Sequence, residues 1–459
     1  MTDNRNQALD YAHQHQDQFL DHLEAFCKIP SISTDPGHNS DVQECANWVA
    51  DQLRGIGIQH VQVFPTAGHP VVYGDYLQAG PSAKTVLIYG HYDVQPAEPL
   101  DKWTTDPFKP VVRDGFLYAR GATDMKAQVL ATIDAVEAIL KTGELPVNVK
   151  FMIEGEEEVG SPNLEKFITD HKDLLASDTF LNPDTGMISI DKPTITYALR
   201  GLAYFELRIV GAKSDLHSGV FGGVLHNPAQ VLCELIAGMH DADGRVTLPG
   251  FYDSVRDLGE EERSELSRLQ MTDTYFQDLS GVPEIWSGEK GYSAVERHGG
   301  RPTLEINGLY SGYIGEGSKT VLPSYAMAKI SCRLVPDQDP VEVGKQLREY
   351  LKAHTPSSVK FEISELAGSP ASISDRNSVY IQALSQAMET VWGKRPLFKR
   401  EGGSVPVVSQ IQRILGIEAV NSGFSTPGDN MHGPDEKTHL PTWRKGIDAL
   451  ILFFFNLGS

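Results

Sequence analysis

The sequence predicts an α/β protein with a separate α+β domain inserted into it. Three observations carry this prediction. Short apolar, β-rich runs end in histidine or carboxylate residues at several points along the chain. Helical periodicities alternate with those runs towards both ends, which is the α/β pattern. Between residues 199 and 371 the texture changes to strand-like segments and charged helical sequence, with no dense group of candidate ligands. The expected domains are therefore 1–198 and 372–459, as two parts of one unit, and 199–371 as the insert.

A chain of 459 residues suits two or three domains, and 40% hydrophobic with 22% charged residues is ordinary globular composition. A formal charge of −21 argues against nucleic acid or an anionic membrane as partner, because both demand basic patches. Cys27, Cys45, Cys233 and Cys332 are widely spaced without a C-x-x-C pair, so they read as free thiols in a reducing compartment. The N-terminus lacks the basic and apolar regions of a signal peptide. The apolar run at 449–455 is too short to span a membrane and reads as a buried terminal helix. A cytoplasmic protein is expected.

In chain order, a helix is expected over 7–28, with Leu9, Phe19, Leu20, Leu23 and Phe26 on one side and His13 and His15 solvated. A second begins near Asp41 and stops at Gly55. Strands follow at 61–64, 71–77 and 85–89, the last running into Tyr89-Gly90-His91-Tyr92-Asp93. His91 and Asp93, two apart, would face one side of a continuing strand. An imidazole beside a carboxylate suits a metal ligand with a partner that fixes its tautomer. Asp124, in Gly121-Ala122-Thr123-Asp124, stands at the start of a helix carrying Val129, Ile133, Val136 and Ile139; locally it also suits an N-cap.

The strand at 149–153 opens into Glu154-Gly155-Glu156-Glu157-Glu158. An acidic loop is usually solvated, but this one follows an apolar strand and precedes Gly-Ser-Pro, so it is expected to face a cleft. Paired glutamates suit a division of labour, one on metal and one free as general base. Phe180-Leu181 then precedes Asp184. In the insert, a strand at 204–210, helical sequence over 228–268, a Gly-rich stretch near Gly299, and strands at 326–335 and 359–365 are expected. A helix over 372–392 returns the chain to α/β texture, ending with Arg400-Glu401-Gly402-Gly403-Ser404 and Gly428-Asp429-Asn430-Met431-His432.

Together His91, Asp124, Glu158, Asp184 and His432, with Glu157 spare, form a nitrogen and oxygen donor set suited to Zn²⁺, Mn²⁺ or Co²⁺. Three carboxylates nearly neutralise two such ions, and one bridging carboxylate can hold them roughly 3.5–4 Å apart. The residues alone thus predict a two-metal hydrolase, leaving amide and phosphoester hydrolysis both open.

These motifs, in this order and over nearly the whole chain, resemble the dizinc metallopeptidase family of cytosolic non-specific (carnosine-type) dipeptidases, acetylornithine deacetylase and succinyl-diaminopimelate desuccinylase. Gly90-His91-Tyr92-Asp93-Val94-Gln95-Pro96 is most similar to the dipeptidase branch. The resemblance implies a zinc-peptidase-like catalytic domain, with a mixed sheet flanked by helices, and an inserted lid that forms a homodimer. It implies two divalent ions, Zn²⁺ first and Mn²⁺ or Co²⁺ as alternatives. His91 and Asp184 would hold one, Glu158 and His432 the other, and Asp124 would bridge. Asp93 would orient His91, and Glu157 would act as general base on a metal-bridging water. His217, in Asp215-Leu216-His217-Ser218-Gly219, would stabilise the oxyanion from the partner's side. Arg333 would grip a substrate carboxylate, with Thr320 and Ser404 as further substrate contacts.

The implied activity is hydrolysis of dipeptides or short peptides with a free C-terminal carboxylate. N-acyl amino acid deacylase is the alternative within the family, and a non-catalytic binding protein on the same fold the alternative outside it. One departure stands out: the carnosine-type branch has a second lid histidine, whereas residues 365–370 here read Glu-Leu-Ala-Gly-Ser-Pro, with Ala367 at the centre. That argues against carnosine-like specificity and leaves the metal chemistry untouched.

Overall fold

A computed structural model describes residues 2–458. The chain divides into two compact units: one comprises the chain up to Tyr197, Ser374–Lys399 and everything from Pro406, the other Ala198–Ile373 with Arg400–Val405.

The first unit is built on a mixed sheet whose middle is four parallel strands, in the order Asn148–Glu154, Thr85–His91, Thr179–Asn182 and Glu418–Asn421. Val71–Tyr76 and Gln59–Phe64 continue it antiparallel on one side, and Thr194–Leu199 on the other. Strands buried on both faces read as continuous apolar runs, which is why 85–89 and 149–153 are visible in the sequence. Because the four central strands are parallel, their carboxyl ends share one edge, the place where open α/β sheets bind ligands.

Helix Lys126–Thr142 lies over this sheet, buried from Lys126 to Ile139. Val129, Ile133, Val136 and Ile139 are at most 1% exposed, and each such burial stabilises by about 1.5–3 kcal/mol. The helix approaches the sheet so closely that a Cβ on Gly90 would lie 2.6 Å from Val129 Cγ2, so only glycine fits there. The Lys126 ammonium is buried and donates to the Phe26 and Ile29 carbonyls at 3.0 and 2.7 Å, pinning the helix start to the N-terminal segment. Leu440–Leu457 packs on this helix with Val379–Trp392 beside it, so the apolar tail is a core element. No helix among the described residues is long and apolar enough to cross a membrane.

The second unit has a four-stranded antiparallel sheet ordered Thr303–Ser311, Tyr325–Leu334, Gly201–Val210 and Lys360–Ser369. Gly201–Val210 alternates buried and half-buried residues, the period of a strand with one covered face. Helices Pro228–Ala237 and Pro340–His354 cover that face through Val231, Leu235, Leu347 and Leu351, packed with Phe205, Leu207, Ile209 and Ile330.

Several expectations need correction. The helix expected over 7–28 is two helices, Thr2–Gln14 and Gln16–Cys27, broken at His15, whose Nδ1 turns to the Tyr11 carbonyl at 2.8 Å. His13 is not simply solvated: its Nε2 lies 3.0 Å from the Asp448 carboxylate. The helical stretch over 228–268 resolves into Pro228–Ala237 and Glu260–Ser267 with turns between. The helix expected from 372 begins at Val379, where Ser378 caps it by accepting the Ile381 N–H; Ser372–Ile373 is a strand. Asp124 is not an N-cap, since the helix starts at Lys126 and Met125 occupies the cap position.

Candidate active site

Each parallel strand leads to a candidate ligand at the same edge. Thr85–His91 ends on His91, which is fully buried and registers against Glu154. Asn148–Glu154 leads into the turn holding Glu157 and Glu158, Thr179–Asn182 leads to Asp184, and Glu418–Asn421 leads to the segment holding His432. The Asp184 loop lies so close to this last segment that a Cβ on Gly423 would sit 1.6 Å from the Thr185 carbonyl oxygen.

Asp124 stands between the two histidines. His91 Nε2 lies 3.1 Å from its Oδ1, and His432 Nε2 lies 2.8 Å from its Oδ2. Around it two groups form, His91–Asp124–Asp184 and Asp124–Glu158–His432; within each, donor atoms lie within 4.8 Å of one another. His432 is also 3.3 Å from Glu158 Oε2. Glu158 Oε1 is buried without a hydrogen-bond partner. An orphaned carboxylate oxygen inside a ring of imidazoles and carboxylates is what a divalent cation would satisfy. The residues present therefore fit two metal ions sharing Asp124.

The four glutamates of the acidic run separate by partner. Glu154 accepts from Tyr89 and Ser161 hydroxyls at 2.8 and 2.9 Å, and Glu156 accepts from the Asn163 amide. Only Glu157 and Glu158 turn to the cluster. Glu158 Oε2 accepts from Gln95 Nε2 at 2.9 Å, whereas Glu157 makes no side-chain hydrogen bond among the described residues. Asp93 does more than face His91. Its carbonyl is 3.1 Å and its carboxylate 3.4 Å from His91 Nδ1, while the carboxylate accepts the Glu157 and Glu158 N–H groups at 3.3 and 3.1 Å and the Ser33 hydroxyl at 2.6 Å. It thus ties the His91 strand to the glutamate turn. Sequence reasoning misses Gln95 and Ser33 as site residues; Gln95 lies within the His91 motif, and that position is the signal that could have found it.

The remaining candidates fall in the second unit, as two pairs. Arg333, half-buried, donates from Nη1 to the Ser404 hydroxyl at 2.9 Å. His217 is exposed on the two-residue strand Leu216–His217, paired with Val321–Leu322, and the following Ser218 N–H donates to the Thr320 carbonyl at 3.1 Å. His217 Nδ1 accepts the Gly219 N–H at 3.0 Å, so in the neutral ring Nε2 carries the proton.

The cluster's electrostatics are those of cations and anions pressed together. Hydrogen bonds to Asp124 and Glu158 raise His432 to about 10. Burial, then the nearby Asp124, raises Asp184 to about 7. Burial opposes charge on Asp124, yet its bonds to His432 and His91 hold it below the usual carboxylate range. Burial, aided by Asp184 and Glu158, pushes Glu157 well above the ordinary range.

A pH dependence follows for the metal-free protein. A raised folded-state value for His432 gives stability complete below its ordinary 6.5 and lost as pH rises through about 10. Asp184, also raised, runs the same way, from its ordinary 3.8 to about 7. Metal must displace those protons, so affinity grows with pH while the metal-free form weakens. The rise in thermal midpoint on adding Zn²⁺ is expected to be larger at about pH 8 than at about pH 6, measured by thermal scans of stripped and reloaded protein. An increment that stays constant or shrinks would contradict this.

The profile of Peptidase family M20/M25/M40 matches residues 87–456. The chain is 33% identical to the Beta-Ala-His dipeptidase of Homo sapiens, over 98% of this chain and 92% of that relative. It is 32% identical to the Cys-Gly metallodipeptidase dug1 of Schizosaccharomyces pombe, over 97% and 96%. Among solved structures, an M20 family metallo-carboxypeptidase from Sulfolobus solfataricus superposes with a TM-score of 0.85 at 33% identity, covering 96% of this chain and 99% of the other.

Proposed function

The chain belongs to peptidase family M20/M25/M40, and from that premise we propose that it is a metal-dependent dipeptidase acting on dipeptides or short peptides with a free C-terminal carboxylate. The observation that carries this reading is the pair of ligand groups sharing Asp124, with Glu157 beside them and uncommitted. His91 and Asp184 would hold one divalent ion and Glu158 and His432 the other, with Asp124 shared between the two groups. Zn²⁺ is the ion we assign, and the donor set also accommodates Mn²⁺ or Co²⁺. Bound ions supply Lewis acidity, lowering the pKa of water and polarising the scissile carbonyl.

Glu157 takes the proton of the attacking water on its carboxylate and returns it to the leaving amine. Glu157 makes no side-chain hydrogen bond among the described residues, which leaves its carboxylate free to carry that proton between the two events. Asp93 holds it in place through its backbone N–H. We assign the oxyanion to the Nε2–H of His217 and the substrate's C-terminal carboxylate to Arg333. Arg333 is half-buried and bonded to a neutral hydroxyl, which leaves its charge for an incoming carboxylate. Thr320 and Ser404 stand beside these two residues as further contacts.

The second unit also supports a homodimer. Thr303–Ser311 is an edge strand, and an uncovered edge carrying apolar side chains is a template for pairing with another chain. Leu309 on it is 58% exposed, and Val224 and Ile314, near His217 and Thr320 in sequence, are each 77% exposed. We place the protein in the cytoplasm, where its four free cysteines would stay reduced.

Neither the deacylase nor the binding-protein alternative gains support. Within the dipeptidases, the missing histidine at 365–370 points away from β-Ala-His. An Xaa-Gly dipeptide is expected to give a kcat/KM about tenfold or more above that for β-Ala-His, the usual effect of one absent polar contact. Steady-state assays of both peptides beside an N-acetyl amino acid check this. Equal or better turnover of β-Ala-His would contradict the specificity, and turnover of the acetylated amino acid alone would move the protein to the deacylases.

A further inference from the structure

A buried ion pair lies behind the ligand cluster, formed by two residues that do not themselves belong to it. Arg120 Nη1 and Glu436 Oε2 are 2.7 Å apart, with side chains 1% and 0% exposed. Buried pairs of this kind are poor devices for stability, because desolvating both charges offsets most of their attraction. The other bonds they make indicate a different use. Glu436 Oε2 also accepts the Gly121 N–H at 3.0 Å, and its Oε1 accepts the Thr123 and Asp124 N–H groups at 2.9 and 3.1 Å. One carboxylate therefore sets the backbone of the whole loop that presents Asp124.

Arg120 works in the other direction. Its Nη2 donates to the Pro96 carbonyl at 3.0 Å and to the His432 carbonyl at 3.2 Å. Pro96 ends the motif that begins at Gly90, so the same guanidinium reaches the segments following two ligand-bearing strands. The His432 segment needs such a hold. Asn430, His432 and Asp435 all have positive φ, at 57°, 59° and 55°, so the segment is an irregular run of left-handed turns with no helix or strand ladder to hold it.

We propose that Arg120 and Glu436 form a positioning clasp that presets the metal centre, Glu436 fixing the shared ligand Asp124 and Arg120 fixing His432. This inference rests on the two-metal reading given above. It assigns the two residues separable effects. Asp124 belongs to both ligand groups, so disturbing Glu436 weakens both ions. His432 belongs to one group, so an Arg120 change that keeps the charge facing Glu436 weakens one ion and spares the other.

The test is a Zn²⁺ titration of stripped full-length protein against a chromophoric chelator, for wild type, Arg120→Lys and Glu436→Gln, with the thermal midpoint of each metal-free form. Wild type is expected to take up two equivalents. Arg120→Lys keeps the charge and loses the fork, so its first ion is expected to bind as in wild type and its second about 10–100-fold more weakly, the usual cost of losing an outer-shell partner. Activity of that variant should return as metal is raised. Glu436→Gln should weaken both ions. Should Glu436→Gln not fold, the split between the two ions in Arg120→Lys decides alone.

Unchanged affinities with a lowered metal-free midpoint would overturn the clasp and leave a structural ion pair. Equal weakening of both ions in Arg120→Lys would also overturn it. A wild type that binds no metal would sink the two-metal reading itself and the clasp with it.

Discussion

Replacing Glu157 by glutamine is expected to cut dipeptide hydrolysis about 10³-fold, equivalent to about 4 kcal/mol of transition-state stabilisation, with both metal ions still bound. Glutamine keeps the shape and cannot accept the water's proton. Glu157 stands in neither ligand group and makes no side-chain hydrogen bond among the described residues, so its replacement removes a function without breaking a contact. The effect should fall on kcat, because proton transfer belongs to the transition state and not to substrate binding. The measurement is steady-state kinetics on metal-loaded variant together with its metal content. Undiminished turnover would mean that another group is the base. Loss of metal along with turnover would mean that Glu157 is a ligand and that Glu158 needs reassignment.

Replacing His217 by alanine is expected to lower kcat about 10²–10³-fold, the usual cost of removing one oxyanion donor. His217 is exposed, with its Nδ1 engaged by Gly219, so in the neutral ring its Nε2 carries an N–H that has no partner among the described residues. If it serves the centre of a second copy, two inactive variants should repair each other. Mixing His217→Ala with Glu157→Gln under exchange conditions should restore activity to about a quarter of wild type, since half of the dimers are mixed and each has one intact centre. Activity that stays at the level of the separate variants would mean that His217 does not act across a dimer. A solution mass of one chain would independently rule out that role.

What could be read from the sequence was set by how local the signal is. A buried parallel strand announces itself as an apolar run, and a ligand stands on its last residue or within four residues beyond it, so His91, Glu157, Glu158 and Asp184 were all within reach of pattern reading. The structure brings them to one edge together with Asp124 and His432. The strand Thr303–Ser311 was not legible, because Asn307-Gly308 looks like a turn; it sits instead where the register with Tyr325–Leu334 shifts, a bulge within a continuous strand. The region after Ala237 misled for a related reason: its charged composition is helical on average, while Gly244, Gly250 and Pro249 break it into turns. The helix break at His15 is confined to one residue, with the His15 and Phe19 N–H groups still bonded to the Tyr11 and His15 carbonyls, too slight an interruption for periodicity to show. Arg120 and Glu436 were invisible for the simplest reason, since 316 residues separate two partners that only the fold brings together. The double use of Asp93, on His91 and on the glutamate turn, likewise needs the turn's backbone to be placed first.

The most direct test of the account is a metal titration of stripped protein followed by hydrolysis of an Xaa-Gly dipeptide. Two ligand groups sharing one aspartate predict no turnover without metal and activity that rises until about two equivalents of Zn²⁺ or Mn²⁺ are bound per chain. Full turnover in the stripped protein, or saturation of binding with no peptide hydrolysis at all, would contradict it.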